Sequence, residues 1–283
     1  DQLRINAVAL NRIARRAREA GLSILTVHTH PNTETPWFSL ADDAGDARLI
    51  PSFLSQTPGP HGSIVVAGAS GTALARVWAE PGRPESIGVR VVGATLGCTP
   101  AAAAADVEWF DRQRLALGAA GQAVLRDLHV GVVGLGGTGA ATMLQLAHLG
   151  IGHMTLVDGD RVAATNVSRM PGATVGDAGA TAKVETATRY VAGLGLGTTV
   201  RPLVGHLGET VSPRELEACD VVFSCVDRHT PRAILNRHAY AAAVPVIDMG
   251  SAFRVDETGR VVAGAGRVVV IGPGRRCLAC WGH

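Results

Sequence analysis

The segment "LHVGVVGLGGTGAATMLQLAHLG", residues 128–150, restricts the fold more than any other. A short apolar run enters a turn built on Gly134, Gly136, Gly137 and Gly139. A helical pattern leaves the turn and stops at Gly150. Glycine permits the tight strand-to-helix turn and lets the backbone approach a phosphate. The helix that follows presents free N–H groups and the positive end of its dipole. The alternation then continues through "HMTLVD", the helix "TAKVETATRYVAGL", "TTVRPLVG", "CDVVFSCVD", the helix "PRAILNRHAYAAA" and "VPVIDMG". Continuous apolar strands alternating with helices predict an α/β, Rossmann-like, mostly parallel sheet with helices on both faces. Asp158 ends the second strand, where a carboxylate meets a ribose hydroxyl. These residues alone suit any nucleotide or dinucleotide binder, an NAD(P)-dependent oxidoreductase included.

The first hundred residues follow a different pattern. "NAVALNRIARRAREA", 6–20, predicts a helix with Leu10, Ile13, Ala14 and Ala17 on its apolar stripe, capped by Asn6 and ended by Gly21. Strands are expected at "LSILTVH", "HGSIVVAGAS", "ALARVWAE" and "SIGVRVVG". This gives a partial α+β domain over 1–97, a linker at 98–108 and the glycine-loop domain over 109–283. A chain of 283 residues is long enough for two cores. Its formal charge of +2 gives no pull toward nucleic acid or membrane. No apolar run reaches membrane-spanning length. Five cysteines, Cys98, Cys219, Cys225, Cys277 and Cys280, suggest a reducing cytoplasm without disulfides. Cys219 and Cys225 read as buried thiols, and His61 and His206 as ordinary surface or core residues.

Residues beyond the glycine loop narrow the choice. "DGDRVAATNVSRM" resembles the ThiF/MoeB adenylyltransferases, relatives of the ubiquitin-activating enzymes, whose pattern is D-x-D-x-V followed by S-N-x-x-R-Q. Asp158, Asp160, Val162, Asn166 and Arg169 match, while Thr165 and Met170 replace the serine and the glutamine. "FDRQRLALGAAGQAVL" resembles the family's lead-in through Arg112, Gln113, Gly121 and Gln122. Lys183, the chain's one lysine, and Asp227 fall where the family has its lysine and magnesium-binding aspartate. The resemblance implies ATP-dependent adenylation of the C-terminal glycine of a ubiquitin-like or sulfur-carrier protein. It implies that Arg112, Arg169 and Lys183 supply cations, that Asp227 holds Mg²⁺, and that Asp158 and Asn166 hold the nucleoside. Asp160 serves either the nucleotide or the loop itself. In the family the counterpart of Arg112 reaches a neighbouring subunit, so a homodimer is expected. Cys277 and Cys280 resemble half of a structural zinc site.

A second resemblance lies upstream. His28-x-His30, followed by Ser39-x-x-Asp42, is similar to the JAMM metalloprotease signature. Alternate strand residues face one side, so both imidazoles can meet one ion, with Asp42 as a third ligand and water completing a catalytic zinc site. Ser39 would then stabilise the oxyanion. The family's glutamate base comes well before the histidines, and Asp1 is too close to His28 to carry it. The chain is therefore read as a piece of a longer fusion of a JAMM-type peptidase with a ThiF-type adenylyltransferase, both acting on one carrier protein. An upstream glutamate and a downstream Cys-x-x-Cys are expected in the parent. The rival readings are the oxidoreductase, and a degenerate module that binds a ubiquitin-like protein without catalysis.

Overall fold

The computed structural model describes residues 6–93, 96–99 and 108–282. Most of the expected linker, at 100–107, lies outside the described residues, as do Asp1 and His283. Contacts divide the chain into two compact units, 1–91 with 97–102 and 92–96 with 103–283.

The first unit opens with α1 (Ala7–Ala20). The Asn6 side chain accepts from the Val8 N–H, and Gly21 closes the helix at φ 62°, a left-handed conformation suited to glycine. Ala14 and Ala17 are buried, but Ile13 is half exposed. It sits about 100° around the helix from Ala14 and leaves the expected stripe. β1 (Leu25–His30) pairs in parallel with β2 (His61–Ala67). Then β3 (Ala73–Trp78) and β4 (Glu85–Ile87) add antiparallel to complete the four-stranded order β1-β2-β3-β4. The single strand expected at 86–93 is instead β4 and β5 (Val89–Val92), broken at Gly88, and β6 (Leu96–Thr99) follows.

Between β1 and β2 runs α2 (Leu40–Gln56), a helix the hydrophobic pattern did not predict. Pro51 inside it masks the periodicity, because proline removes one ladder hydrogen bond. Ile50 and Phe53 nonetheless pack with Ala14, Ala17, Ile24 and Trp78. His61 is wholly buried, its Nδ1 accepting from the Ile24 N–H at 2.9 Å and its Nε2 facing the Thr57 carbonyl at 3.0 Å.

The second unit begins with α3 (Asp111–Asp127), kinked at Gly118, where φ is 74°. There follow β7 (His129–Val133), α4 (Gly137–His148), β8 (His153–Asp158), α5 (Lys183–Gly193) and β9 (Thr199–Val204). After them come β10 (Val221–Ser224), α6 (His229–Ala241), β11 (Val246–Val255) and β12 (Val261–Ile271). The six-stranded order is β12-β11-β10-β7-β8-β9, parallel except for β12, which runs antiparallel to β11 at the edge. Side chains of β7 and β8 alternate between two cores. Val132, Met154 and Leu156 join Met143 of α4 and Val184 of α5, while Val133 and Val157 join Leu235 of α6. The sheet is therefore covered on both faces, as the continuous apolar strands require. Among the described residues no helix is long and apolar enough to cross a membrane.

Candidate functional site

The chain reverses direction across the sheet at β7: β8 and β9 extend to one side and β10 to the other. Crevices open at the carboxyl ends of strands where that reversal occurs. A cleft of about 800 Å³ lies there, within the size range of small-molecule sites. Gly134, Gly136, Gly137, Asp158, Asp160, Arg169, Lys183 and Asp227 all line it.

The four glycines divide by role. Gly134 has φ 88°, and a Cβ there would lie 2.8 Å from the Cys225 carbonyl oxygen. A Cβ on Gly139 would lie 1.7 Å from the Gly134 carbonyl oxygen, so these two allow turn and helix to close on each other. A Cβ on Gly136 would meet nothing within 4 Å, and one on Gly137 only the Arg169 side chain at 3.7 Å. That second pair leaves the first turn of α4 bare, where helix N–H groups lack internal partners.

Asp158 is buried at the end of β8. Its Oδ2 accepts from the Leu135 N–H at 2.6 Å and its Oδ1 from the Asp160 N–H at 2.8 Å. The carboxylate thus ties the glycine loop to the loop after β8. Lys183, the first residue of α5, extends its Nζ to within 2.6 Å of Asp160 Oδ2 and 3.8 Å of Asp158 Oδ1. Arg169, Lys183 and Arg228 line the cleft against Asp158, Asp160, Glu209 and Asp227. The carboxylates offset the cations, so a polyphosphate held here needs an added divalent cation. Asp227, exposed in the cleft, offers oxygen ligands suited to magnesium.

Other expected residues stand elsewhere. Asn166 does not line the cleft; it is buried, and its Oδ1 accepts from the Ala163 N–H at 2.9 Å. It shapes the turn in which Arg169 and Met170 donate their N–H groups to its carbonyl. Met170 lies in the core and cannot take up the glutamine's polar contact. Arg112 is exposed on α3, outside this cleft. Its neighbours in the lead-in have a structural use: Gln113 Nε2 donates to the His148 carbonyl and Gln122 Nε2 to that of Leu149, at the end of α4. Burial pushes the Cys225 thiol at the cleft wall up to about 11, so it is not a nucleophile at neutral pH. Cys219 is fully buried. Cys277 and Cys280 lie after β12 with their sulfurs 3.4 Å apart. The Cys280 backbone N–H holds the Cys277 thiol below its usual range. A structural zinc needs four ligands, and among the described residues no third metal-ligating side chain gathers with this pair.

His206 was not expected in the site, yet it lines the cleft in the loop after β9. Nothing in its sequence neighbourhood marks it; only the fold of that loop brings it there.

In the first unit, His28 and His30 project from β1 toward Asp42 at the start of α2. His28 Nε2 lies 2.9 Å from Asp42 Oδ1, His30 Nε2 3.4 Å from Asp42 Oδ2, and the two Nε2 atoms are 3.3 Å apart. One ligand atom from each lies within 4.8 Å of the other two, a set that fits one ion. Ser39 caps α2: its hydroxyl donates to Asp42 Oδ2 at 2.7 Å, and the Asp42 N–H points back to that hydroxyl. Burial opposes the charged form of Asp42, but the Ser39 backbone and hydroxyl, with His28 and His30, outweigh it and leave the carboxyl below its ordinary value. Asp46, one turn on, accepts from Ser63 Oγ on β2 and from Arg76 on β3, which fixes the helix against the sheet.

Comparison with known proteins places the second unit. The model of the ThiF family matches residues 110–282 and does not extend to the histidine cluster. The molybdopterin-synthase adenylyltransferase of Salmonella typhimurium is 36% identical over 139 residues, which are 48% of this chain and 54% of that protein. The adenylyltransferase and sulfurtransferase UBA4 of Yarrowia lipolytica is 34% identical over 140 residues, 49% of this chain and 35% of that protein. The SAMP-activating enzyme E1 of Haloferax volcanii is 30% identical over 162 residues, 57% of each. The chain therefore spans between a third and just over half of these relatives.

Proposed function

The chain belongs to the ThiF family, and from that premise we propose that it uses ATP to adenylate the C-terminal carboxylate of a ubiquitin-like or sulfur-carrier protein. One observation carries the reading: the bare helix turn at Gly136 and Gly137, the Asp158 carboxylate, Arg169, Lys183 and Asp227 line one cleft. The relatives named as adenylyltransferases support it. An oxidoreductase gives Arg169, Lys183 and Asp227 no task.

In the reaction a carboxylate oxygen of the carrier bonds to the α-phosphorus, and the bond to the bridging oxygen breaks. Pyrophosphate leaves with that electron pair, and an acyl-adenylate remains. Charge gathers on phosphate oxygens, so groups fixed around them beforehand lower the barrier. Helix N–H groups at Gly137 and Thr138 face the phosphates, and Asp158 takes the ribose hydroxyls. Lys183 leaves Asp160 for the phosphate, and Arg169 flanks it. Magnesium on Asp227 would neutralise charge on the leaving pyrophosphate. Arg112, exposed on α3, serves a second copy's cleft in a homodimer. The test is exchange of labelled pyrophosphate into ATP with a carrier ending in glycine. Saturable NAD binding without exchange would favour the oxidoreductase, and carrier binding without exchange the degenerate module.

A second reading concerns the first unit, and the three-ligand geometry at His28, His30 and Asp42 favours it. These residues would hold zinc, whose bound water ionises near pH 7, for a JAMM-type peptidase that trims the same carrier. Ser39 holds Asp42 in place through its hydroxyl and, in this reading, turns that hydroxyl to the oxyanion. Cleavage of a carrier extended beyond its terminal glycine, by a zinc-loaded parent protein that supplies the upstream glutamate, tests this reading; inertness of that protein counts against it. Zinc at Cys277 and Cys280, with two further ligands, belongs to the same proposal.

A further inference from the structure

We infer that His206 is the residue on which the nucleobase stacks, an inference that rests on the adenylation reading of the same cleft. The order of the sheet gives the direction. The phosphate-facing turn follows β7 and the ribose carboxylate of Asp158 ends β8, the next strand. A nucleotide laid along that line carries its base onward, toward the carboxyl end of β9. There the cleft is lined by Gly159, Gly205, His206 and Leu207.

The imidazole is built into this wall. A Cβ on Gly159 would lie 2.5, 2.6 and 2.7 Å from His206 Cε1, Nε2 and Nδ1. Near-equal distances to three ring atoms mean that the ring lies face-on over Gly159. Glycine is thus required beside Asp158 so that the ring can lie flat. The backbone under the ring is also fixed. The His206 N–H donates to Thr210 Oγ1 at 3.0 Å, and its carbonyl accepts the N–H groups of Glu209, Thr210 and Val211. Leu207 anchors the loop in the core beside Val157 and Leu235. One face of an exposed aromatic ring is therefore held against the backbone next to the ribose carboxylate, and the other is left to the cleft. A flat base stacks on such a platform.

The experiment measures binding of ATP and of inorganic tripolyphosphate, each with magnesium, to the whole chain and to His206→Ala and His206→Phe. His206→Ala is expected to weaken ATP about tenfold and leave tripolyphosphate unchanged, as loss of one stacking contact requires. His206→Phe is expected to keep ATP within about threefold of the parent. Unchanged ATP affinity in His206→Ala, or an equal loss for tripolyphosphate, would overturn the inference while leaving the adenylation reading standing. A parent chain that binds tripolyphosphate no worse than ATP gives the base no subsite and also overturns it. A parent that binds neither defeats the adenylation reading itself.

Discussion

The Nζ of Lys183 lies 2.6 Å from Asp160 Oδ2 and 3.8 Å from Asp158 Oδ1, so the chain's one lysine is held by two carboxylates that line the same cleft. In the proposed reaction phosphate takes over part of that pairing. Lys183→Met removes a fixed cation from the developing charge and is expected to lower pyrophosphate exchange about 10²–10³-fold. Asp160→Asn leaves the lysine in place, and its effect should be under tenfold. Similar losses for the two variants would mean that the ion pair shapes the loop and takes no part in the reaction.

The glycines separate folding from binding. A Cβ on Gly139 would overlap the Gly134 carbonyl, a backbone group that cannot swing aside, with the Cys225 Cβ 3.2 Å away. Gly139→Ala should therefore destabilise by about 3 kcal/mol or more in denaturant unfolding. Gly136→Ala has open space and φ −67°, so its stability should change by under about 1 kcal/mol. On the adenylation reading its added methyl intrudes where the phosphates would pass, and ATP binding should weaken. Equal thermal shifts for the two variants would remove the distinction.

Which parts were legible in the sequence follows from the range of each signal. The parallel sheet was legible because its central strands β7, β8 and β10 are mostly apolar and buried and the helices between strands each keep a separate period. β12 was not, because an antiparallel edge strand with exposed Val261, Val262 and Val268 lacks a buried face to impose alternation. α2 was hidden by Pro51, although Ser39-x-x-Asp42 is the spacing of a capping box as well as of a metal motif. The same stretch carries both meanings: in the structure the capping box is formed, and Asp42 also faces His28 and His30. Asp158, Arg169, Lys183 and Asp227 were legible as an ordered set. Asn166 fell in that set, but local backbone geometry uses its side chain in the turn. His206 was invisible because its place depends on a loop crossing back over the end of β8, a contact no local pattern encodes.

Metal binding in the first unit gives a direct measurement. With cobalt as a spectroscopic substitute, the chain should bind one ion at His28, His30 and Asp42. His28→Ala and Asp42→Ala should each weaken that binding at least about tenfold. Ser39→Ala keeps all three ligands but removes the cap and the hydroxyl's bond to Asp42 Oδ2, and should destabilise α2 by about 1 kcal/mol. Cobalt spectra unchanged in both ligand variants would assign the cluster to packing. Chelator treatment should lower the melting temperature of the parent and not that of His28→Ala, since ligand stabilises only the form that binds it.

Thiol reactivity tests the assignment of Cys225 as a spectator. With its thiol raised to about 11 by burial, roughly one molecule in a thousand carries the thiolate at pH 8, and the fraction grows as pH rises. Cys277 has its thiol lowered and lies nearer the surface. Iodoacetamide at pH 8 should therefore modify Cys277 well before Cys225, as read by peptide mass. Early modification of Cys225 would contradict that assignment.

Arg112 yields the sharpest test of assembly, because it is exposed on α3 and does not line its own chain's cleft. If it completes the cleft of a second copy, Arg112→Ala and Lys183→Met should each be inactive alone yet restore each other when mixed. In a heterodimer the Arg112→Ala chain retains its lysine and receives arginine from its neighbour, so one of two clefts is whole. Random pairing makes about half of all dimers mixed, and activity should recover to about a quarter of the parent's. The mixture stays dead if the arginine acts within its own chain, and it also stays dead if the protein is a monomer. Sedimentation of the unmixed parent tells those two results apart.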